Sequence, residues 1–372
     1  MSSFESIGCH PVINASGKMT ALGASAVTET VARSMATAAQ DYVNIDQLLR
    51  RAGTVIGAAT GAEDGVPTTG AASAVVLAVA ALIAGEDLTR IEAIPESTGV
   101  PNEIVLQKGH AIHFGSAITQ LVRLGGGVPI EVGQVNHTLE AHLRGSISER
   151  TAGLLFVQSH HTVQKGMQSL AATIEAAHEA GLPVIVDAAA EEDLRRYISA
   201  GADLVAYSGG KALGGPTSGF LCGRADLIAA ARAQYAGVGR PMKVGKEAII
   251  GLCTALEEYR DGPPDSGRLR DVAQYVVDEL QGVRGIRSRV TQDEAGREIW
   301  RATVTVDPTE AGFDAVELSR RLREGTPAIH TRDHLANTGS ISIDPRPLRE
   351  GQERIIVERI IDIIEGESGD HS

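Results

Sequence analysis

Cysteine, aromatic side chains and surplus positive charge are all scarce in this chain. Its three cysteines, Cys9, Cys222 and Cys253, form no paired spacing and no CxxC or Cys/His cluster. A disulfide framework and a zinc site are therefore not expected, no metal is implied, and a reducing cytoplasmic setting fits. Aromatic residues make up only 3% of the chain, so few rings exist for stacking. Lys and Arg total 34 against 47 Asp and Glu, a formal net charge of −13. A general nucleic-acid binder takes most of its affinity from neutralised phosphates, and this balance argues against one. The N-terminus, MSSFESIGCHPVIN, has no basic segment followed by an apolar core, so no signal peptide is expected. The longest apolar run, Ala71 to Ala84, is too short and too rich in alanine for a membrane span and reads as a buried helix.

What is present is a folded protein. The 372 residues are 43% hydrophobic and 22% charged, which excludes disorder as the main state, and 42 glycines imply many tight turns. The length allows a large domain with a smaller one. Helical spacing marks residues 28–39 and 46–60, and residues 65–70 form a turn-rich segment that opens into the apolar helix from Ala71. From Glu103 short apolar strands alternate with helices: strands at 104–106, 128–132, 154–157, 183–187, 204–207 and 219–222, helices at 115–124, 139–147, 170–180 and near 194–198. Uninterrupted strands such as PVIVDA and LLFVQ, separated by helices, mean an α/β fold with a mainly parallel sheet covered on both faces. The expected organisation is an N-terminal arm with the first helices (1–50), a large α/β domain (51–245) and a small C-terminal α+β domain (246–372). The last of these carries a helix at 245–259, a helix at 267–281, a strand at 300–306, a helix at 314–323, a strand at 341–343 and a helix at 351–365.

Three features carry chemistry. The first is Thr68-Thr69-Gly70-Ala71 at the start of the apolar helix, where backbone N–H groups and the positive end of the helix dipole favour an anion. A threonine cap for a core helix is the plainer reading. The second is Asp187 at the end of PVIVDA, the carboxyl end of a strand, where open α/β sheets bind ligands. The third is Ser208-Gly209-Gly210-Lys211-Ala212-Leu213-Gly214-Gly215, after the strand ADLVAY. A lysine held between glycines suits Schiff-base chemistry. A Walker P-loop is not an option, because Ala212 follows the lysine where Ser or Thr is required. A phosphate cradle, an Asp, and a Lys 24 residues after it are together what pyridoxal 5′-phosphate needs. Lys211 would bind its aldehyde, Asp187 would keep its ring nitrogen protonated, and Thr68, Thr69, Gly70, Ala71 and Ser208 would hold its phosphate.

At these residues the chain resembles the selenocysteine synthase-like branch of fold-type-I pyridoxal phosphate enzymes. The likeness rests on Val12-Ile13-Asn14-Ala15, on Val132-Gly-Gln-Val-Asn136-His137-Thr138, and on SGGKALGGPTSGFL with GRPMKVGKE after it, with a weaker echo at Ile341-Ser-Ile-Asp344-Pro-Arg346. It implies an aspartate aminotransferase-like large domain, the cofactor lysine at Lys211 and the ring aspartate at Asp187. The selenium transferases of this branch carry an additional N-terminal tRNA-binding region. This acidic chain starts almost at once with the enzyme core, so the closer likeness is to the D-glucosaminate-6-phosphate ammonia-lyase group. The resemblance also implies a homodimer or higher homo-oligomer, with Asn14 to Thr20 bordering the partner's site.

It further implies a ring stacked on the cofactor, for which His110 or His113 in QKGHAIHFGS are candidates, a satisfied structural histidine being an equal reading for either. His160 and His161, after LLFVQS, are candidates for cofactor or substrate contact, and neighbours on an extended chain point opposite ways, which disfavours a metal. Arg240, Lys243, Arg332 and Arg346 could hold a substrate carboxylate or phosphate. Each alone is more often a solvated surface charge. The expected reaction is α,β-elimination with deamination of a 2-amino-3-hydroxy acid, an amino sugar acid by the resemblance, giving a 2-keto acid and ammonia. An aldolase, racemase or selenium-transferase-like enzyme would use the same lysine and aspartate. A non-catalytic α/β binding protein is the remaining alternative, and the presence of both residues argues against it.

Overall fold

The computed structural model describes residues 4–159, 161–259, 266–293 and 298–369. In chain order its strands are β1 (Ile13–Ala15), β2 (Asp64–Thr68), β3 (Glu103–Gln107), β4 (Val128–Val132), β5 (Thr151–Val157), β6 (Val184–Asp187), β7 (Leu204–Ser208), β8 (Gly219–Gly223), β9 (Ile286–Gln292), β10 (Trp300–Val306), β11 (Ile329–Thr331) and β12 (Ser340–Ile343). The chain divides into two compact units. One is Ser25–Pro263; the other joins Met1–Ala24 to Pro264–Ser372.

The larger unit is built on a seven-stranded sheet of order β2-β8-β7-β6-β5-β3-β4. Strands β3 to β7 pair in parallel, and β8 runs antiparallel to both β7 and β2. β3, β5 and β8 are buried throughout, as their apolar centres require. The helix Ala71–Ala84 is apolar all round and buried nearly all round, lying on one face of the sheet. Val75, Val76, Leu77, Val79 and Ile83 on it are each fully buried, worth about 1.5–3 kcal/mol apiece. Ile56, Leu154, Val186, Tyr207 and Leu252 belong to the core on the opposite face.

Three readings change. Residues 65–68, expected as turn, belong to strand β2. Pro67 is tolerated because β2 is the edge of the sheet. Gly65 is required because a Cβ there would lie 2.4 Å from the Ile56 side chain. The helix expected from Gly115 begins at Ile118. The preceding residues turn back on themselves, with His113 bridged to Ala117 and Gly115 at φ +79°. The helix Lys246–Tyr259, placed by the sequence at the head of the C-terminal domain, lies in the larger unit, packed on the helices Glu29–Gln40 and Ile45–Thr60. Lys246 Nζ donates to Ala38 O at 2.6 Å and Ala39 O at 2.9 Å, capping the end of Glu29–Gln40.

The second unit holds an antiparallel sheet of order β12-β10-β9 and a parallel pair of β1 with β11. The helices Ser266–Glu279, Ala315–Glu324 and Gln352–Gly369 supply Val276, Leu318 and Ile356 to its core. Ile13 and Ala15 of β1 are buried in that core, so the expected N-terminal segment 1–50 is divided: Met1–Ala24 belongs to this unit and the first helices to the larger one. Among the described residues no helix is long and apolar enough to cross a membrane.

Candidate active site

The register of the sheet brings the predicted groups together. On the face covered by Ala71–Ala84, Thr68 of β2 and Ser208 of β7 both pair with Gly219 of β8, which lies between them. One pleat further in, Ala206 of β7 pairs with Asp187 of β6. Side chains repeat with period two along a strand, so Ser208, Ala206 and Asp187 look the same way. Glycine at 219 is a steric necessity: a Cβ would lie 2.5 Å from Gly70 C and 2.8 Å from Ala71 N. The strand thus carries the start of the helix directly on its backbone.

That helix start has no side-chain cap. Thr68 does not supply one; it is buried, and its hydroxyl donates to Gly70 O at 2.8 Å, shaping the turn. Thr69 and Gly70 are half-buried and Ala72 is exposed. A Cβ on Gly70 would meet nothing within 4 Å. Ser73 Oγ donates to Gly70 O at 2.8 Å and accepts from Thr69 Oγ1 at 3.0 Å. The result is an open, uncapped N-terminus of a 14-residue helix, suited to a phosphate. Ala72 went unnoticed in the sequence, where its place in the first turn was the only signal.

Asp187 ends β6, its Oδ1 accepting the Ala189 N–H at 3.1 Å. Burial pushes its carboxyl up to about 6; the Ala189 N–H and the charge on Lys211 pull the other way. A buried carboxylate of this kind suits a cationic partner such as a pyridinium nitrogen. Lys211 lies in the turn after β7 and is half-buried. Its loop is closed by Gly215 N–H to Gly209 O at 2.8 Å and Gly209 N–H to Ser218 O at 2.8 Å. Gly214 adopts φ +65°, and the Ser25 hydroxyl donates to Gly215 O from the start of the unit. A helix start and a carboxylate on one face of the sheet, with a lysine whose charge acts on that carboxylate, are a donor set that fits pyridoxal phosphate.

The rings are arranged otherwise than the sequence suggested. His110 is 2% exposed, its Nδ1 accepts the Val157 N–H at 3.2 Å, and its ring meets Phe156 edge-on at 4.6 Å. Burial drives its pKa down to about 4, so it is neutral. It has no open face for a cofactor and is a structural link between the ends of β3 and β5. His113 is exposed. Among the described residues, a ring that the sequence does not single out lies against the lysine: the Phe114 centroid is 4.5 Å from Lys211 Nζ, and the His161 ring is 4.6 Å from that of Phe114. The only sequence signal was a lone Phe beside His113. His160 lies outside the described residues.

Of the cationic candidates, Arg240 and Lys243 are exposed, Arg240 on a short 3-10 turn, Arg240–Met242, and Lys243 just after it. Arg332 and Arg346 belong to the second unit. Arg332 bridges Ser342 through its backbone, and Arg346 grips Asp344 with two bonds, of 2.9 and 2.7 Å. Asp344 is fully buried and also receives Arg301 Nε at 3.0 Å, while Arg301 Nη2 reaches Asp293 at 3.1 Å. Arg346 is therefore already engaged within its unit. Among the described residues no group of three or more His, Cys, Asp or Glu could hold a metal.

The chain is similar to known proteins over almost its whole length. The family model described as L-seryl-tRNA selenium transferase matches residues 12–311. D-glucosaminate-6-phosphate ammonia lyase of Salmonella typhimurium is 43% identical over 362 residues, 97% of this chain and 98% of that protein. A Streptomyces 5′-C-glycyluridine monooxygenase-decarboxylase is also 43% identical, over 365 residues, 97% of this chain and 92% of the relative. A solved structure of D-glucosaminate-6-phosphate ammonia-lyase superposes with a TM-score of 0.93 at 42% identity, covering 99% of each chain.

Proposed function

Since the chain belongs to the L-seryl-tRNA selenium transferase family, we propose that it is a pyridoxal phosphate-dependent ammonia-lyase acting on an amino sugar acid of the D-glucosaminate-6-phosphate kind. The observation that carries this reading is the pairing of Asp187 and Lys211 at the carboxyl ends of neighbouring strands, beside the uncapped start of Ala71–Ala84. When bound, pyridoxal phosphate supplies an aldehyde for the substrate amine and a ring that takes up the electron pair left at Cα.

The chain's own residues do the rest. Thr69, Gly70, Ala71 and Ala72 at the helix start, with Ser208, hold the phosphate by hydrogen bonds and helix dipole. Thr68 shapes their turn. Asp187 keeps the ring nitrogen protonated. Lys211 Nζ would hold the aldehyde carbon when the cofactor is bound and would take the substrate's Cα proton as general base. The β-hydroxyl leaves with a proton as water, and hydrolysis returns that water. The net change converts a 2-amino-3-hydroxy acid into a 2-keto-3-deoxy acid and ammonia. His113 is the open candidate for the ring face, and Arg240 and Lys243 for the substrate's anionic groups. A homodimer, as in the fold-type-I enzymes, belongs to the same reading.

The two relatives at equal identity carry different activities. The chain spans the ammonia lyase more completely, 98% against 92%, and superposes on a structure of that enzyme, which favours elimination. The test is the purified protein's near-visible absorbance and its release of ammonia from D-glucosaminate-6-phosphate. Wild type should show both without oxygen uptake, and Lys211→Ala neither. Retention of both in Lys211→Ala would remove the proposal; oxygen uptake with loss of carbon dioxide would move the enzyme to the decarboxylating chemistry.

A further inference from the structure

We infer that Phe114 is a positioning residue for Lys211, gripping its ammonium over the ring face before the cofactor is bound. The inference rests on the reading of Lys211 as the cofactor-bearing amine. Lys211 Nζ lies 4.5 Å from the Phe114 centroid, within cation–π range. Core packing does not explain this ring: it is 51% exposed, whereas Phe156, Phe220 and Phe313 are buried.

The ring's place is built in three ways. Phe114 sits at the tip of a closed turn, its N–H donating to Ser116 O at 3.1 Å, with Ile118 N–H on Ile112 O at 3.0 Å. Gly115 at φ +79° makes the reversal, and His113 bridges Ala117 at its base. The His161 ring, on the loop after β5, lies 4.6 Å from the Phe114 ring at a tilt of 37°. The loop of Lys211 is closed independently by its own backbone bonds. Two separately fixed turns thus bring one cation and one ring face together.

Among the described residues, the titratable groups near this pair include Asp187, from β6, and His161, whose ring meets that of Phe114. Asp187 acts on Lys211 through charge alone and would hold the cation with or without Phe114. The ring adds direction: it fixes where Nζ sits and raises its proton affinity by about 2- to 5-fold. A lysine must shed that proton before it attacks an aldehyde. Phe114 therefore trades some readiness for a defined position.

The experiment uses the full-length cofactor-free protein with its six lysines carrying 13C-methyl labels. The Lys211 resonance is identified by its loss in Lys211→Arg, and folding is checked by the other five. Phe114→Leu keeps the bulk and removes the π face; its Lys211 should titrate at a proton affinity about 2- to 5-fold lower than wild type. Phe114→Tyr should restore the wild-type midpoint. In unlabelled protein below that midpoint, Phe114→Leu should capture pyridoxal phosphate about 2- to 5-fold faster. An unchanged midpoint in Phe114→Leu, or a Phe114→Tyr that behaves like Phe114→Leu, overturns the inference. Wild-type protein that takes up no pyridoxal phosphate defeats the functional reading instead, and the inference with it; normal uptake with an unmoved midpoint defeats the inference alone.

Discussion

Replacing Asp187 by Asn should stabilise the cofactor-free protein while weakening its hold on pyridoxal phosphate. The carboxyl ordinarily ionises near 3.8, and burial pushes it up to about 6 in the folded chain. The folded state therefore ionises later than the unfolded one. Stability is greatest in acid, is lost as pH rises from about 4 through about 6, and carries the whole penalty above that. Two tenfold steps in proton affinity amount to about 3 kcal/mol at most. For a chain of this length that is about 4 °C in melting temperature. Asn keeps an oxygen for the Ala189 N–H and carries no charge. Melting curves of the cofactor-free proteins between pH 4.5 and 8 should diverge with rising pH, the variant melting higher at pH 7.5. Saturating pyridoxal phosphate should reverse the order, because binding to the folded state stabilises in proportion to affinity and only the carboxylate can pair with a protonated ring nitrogen. Parallel curves across the pH range, or equal stabilisation of both proteins by the cofactor, would refute the reasoning.

Gly219→Ala should drive its new Cβ into the backbone of Gly70 and Ala71, costing about 1–3 kcal/mol and weakening pyridoxal phosphate binding by tenfold or more; an absorbance titration reads the second effect, and unchanged affinity would show that this helix start does not hold the phosphate. Asp344→Ala should strip the buried Arg301 of one of its two carboxylates and Arg346 of its forked partner, a loss of about 3–5 kcal/mol seen as a lower urea midpoint. His110→Leu should strand the Val157 N–H and cost about 1–3 kcal/mol at pH 7. The wild-type imidazole, with its pKa lowered to about 4, loses stability as pH falls from 6.5 toward 4, so the cost of His110→Leu should shrink at pH 5. A cost that grows there would contradict a neutral His110.

The parts legible in the sequence are those whose burial is written in composition. Strands β5 and β6 read as unbroken apolar runs because both faces are covered, and Ala71–Ala84 reads as a helix of the core because it is apolar all round. Asp187 and Lys211 stand out because each interrupts that pattern at a strand end. Strand β2 stayed hidden because an edge strand tolerates Pro67, a residue that elsewhere signals a turn. Strand β1 stayed hidden because its three residues pair with β11, some 300 positions away, and no local period records such a partner. The rings depended on a positive φ at Gly115, which composition does not reveal. That reversal sets Phe114 against the lysine, while His110, two residues before the chain turns, is sealed beneath β5. Asp187 shows why the legible part is also the part proposed to be functional. A carboxyl held at the end of a buried strand, with one backbone N–H and a half-buried lysine charge to offset its burial, is unfavourable in the empty protein. A purely structural residue at that position would be better uncharged. The cost is accounted for when a cation arrives beside it, and the nitrogen of a protonated pyridine ring is such a cation.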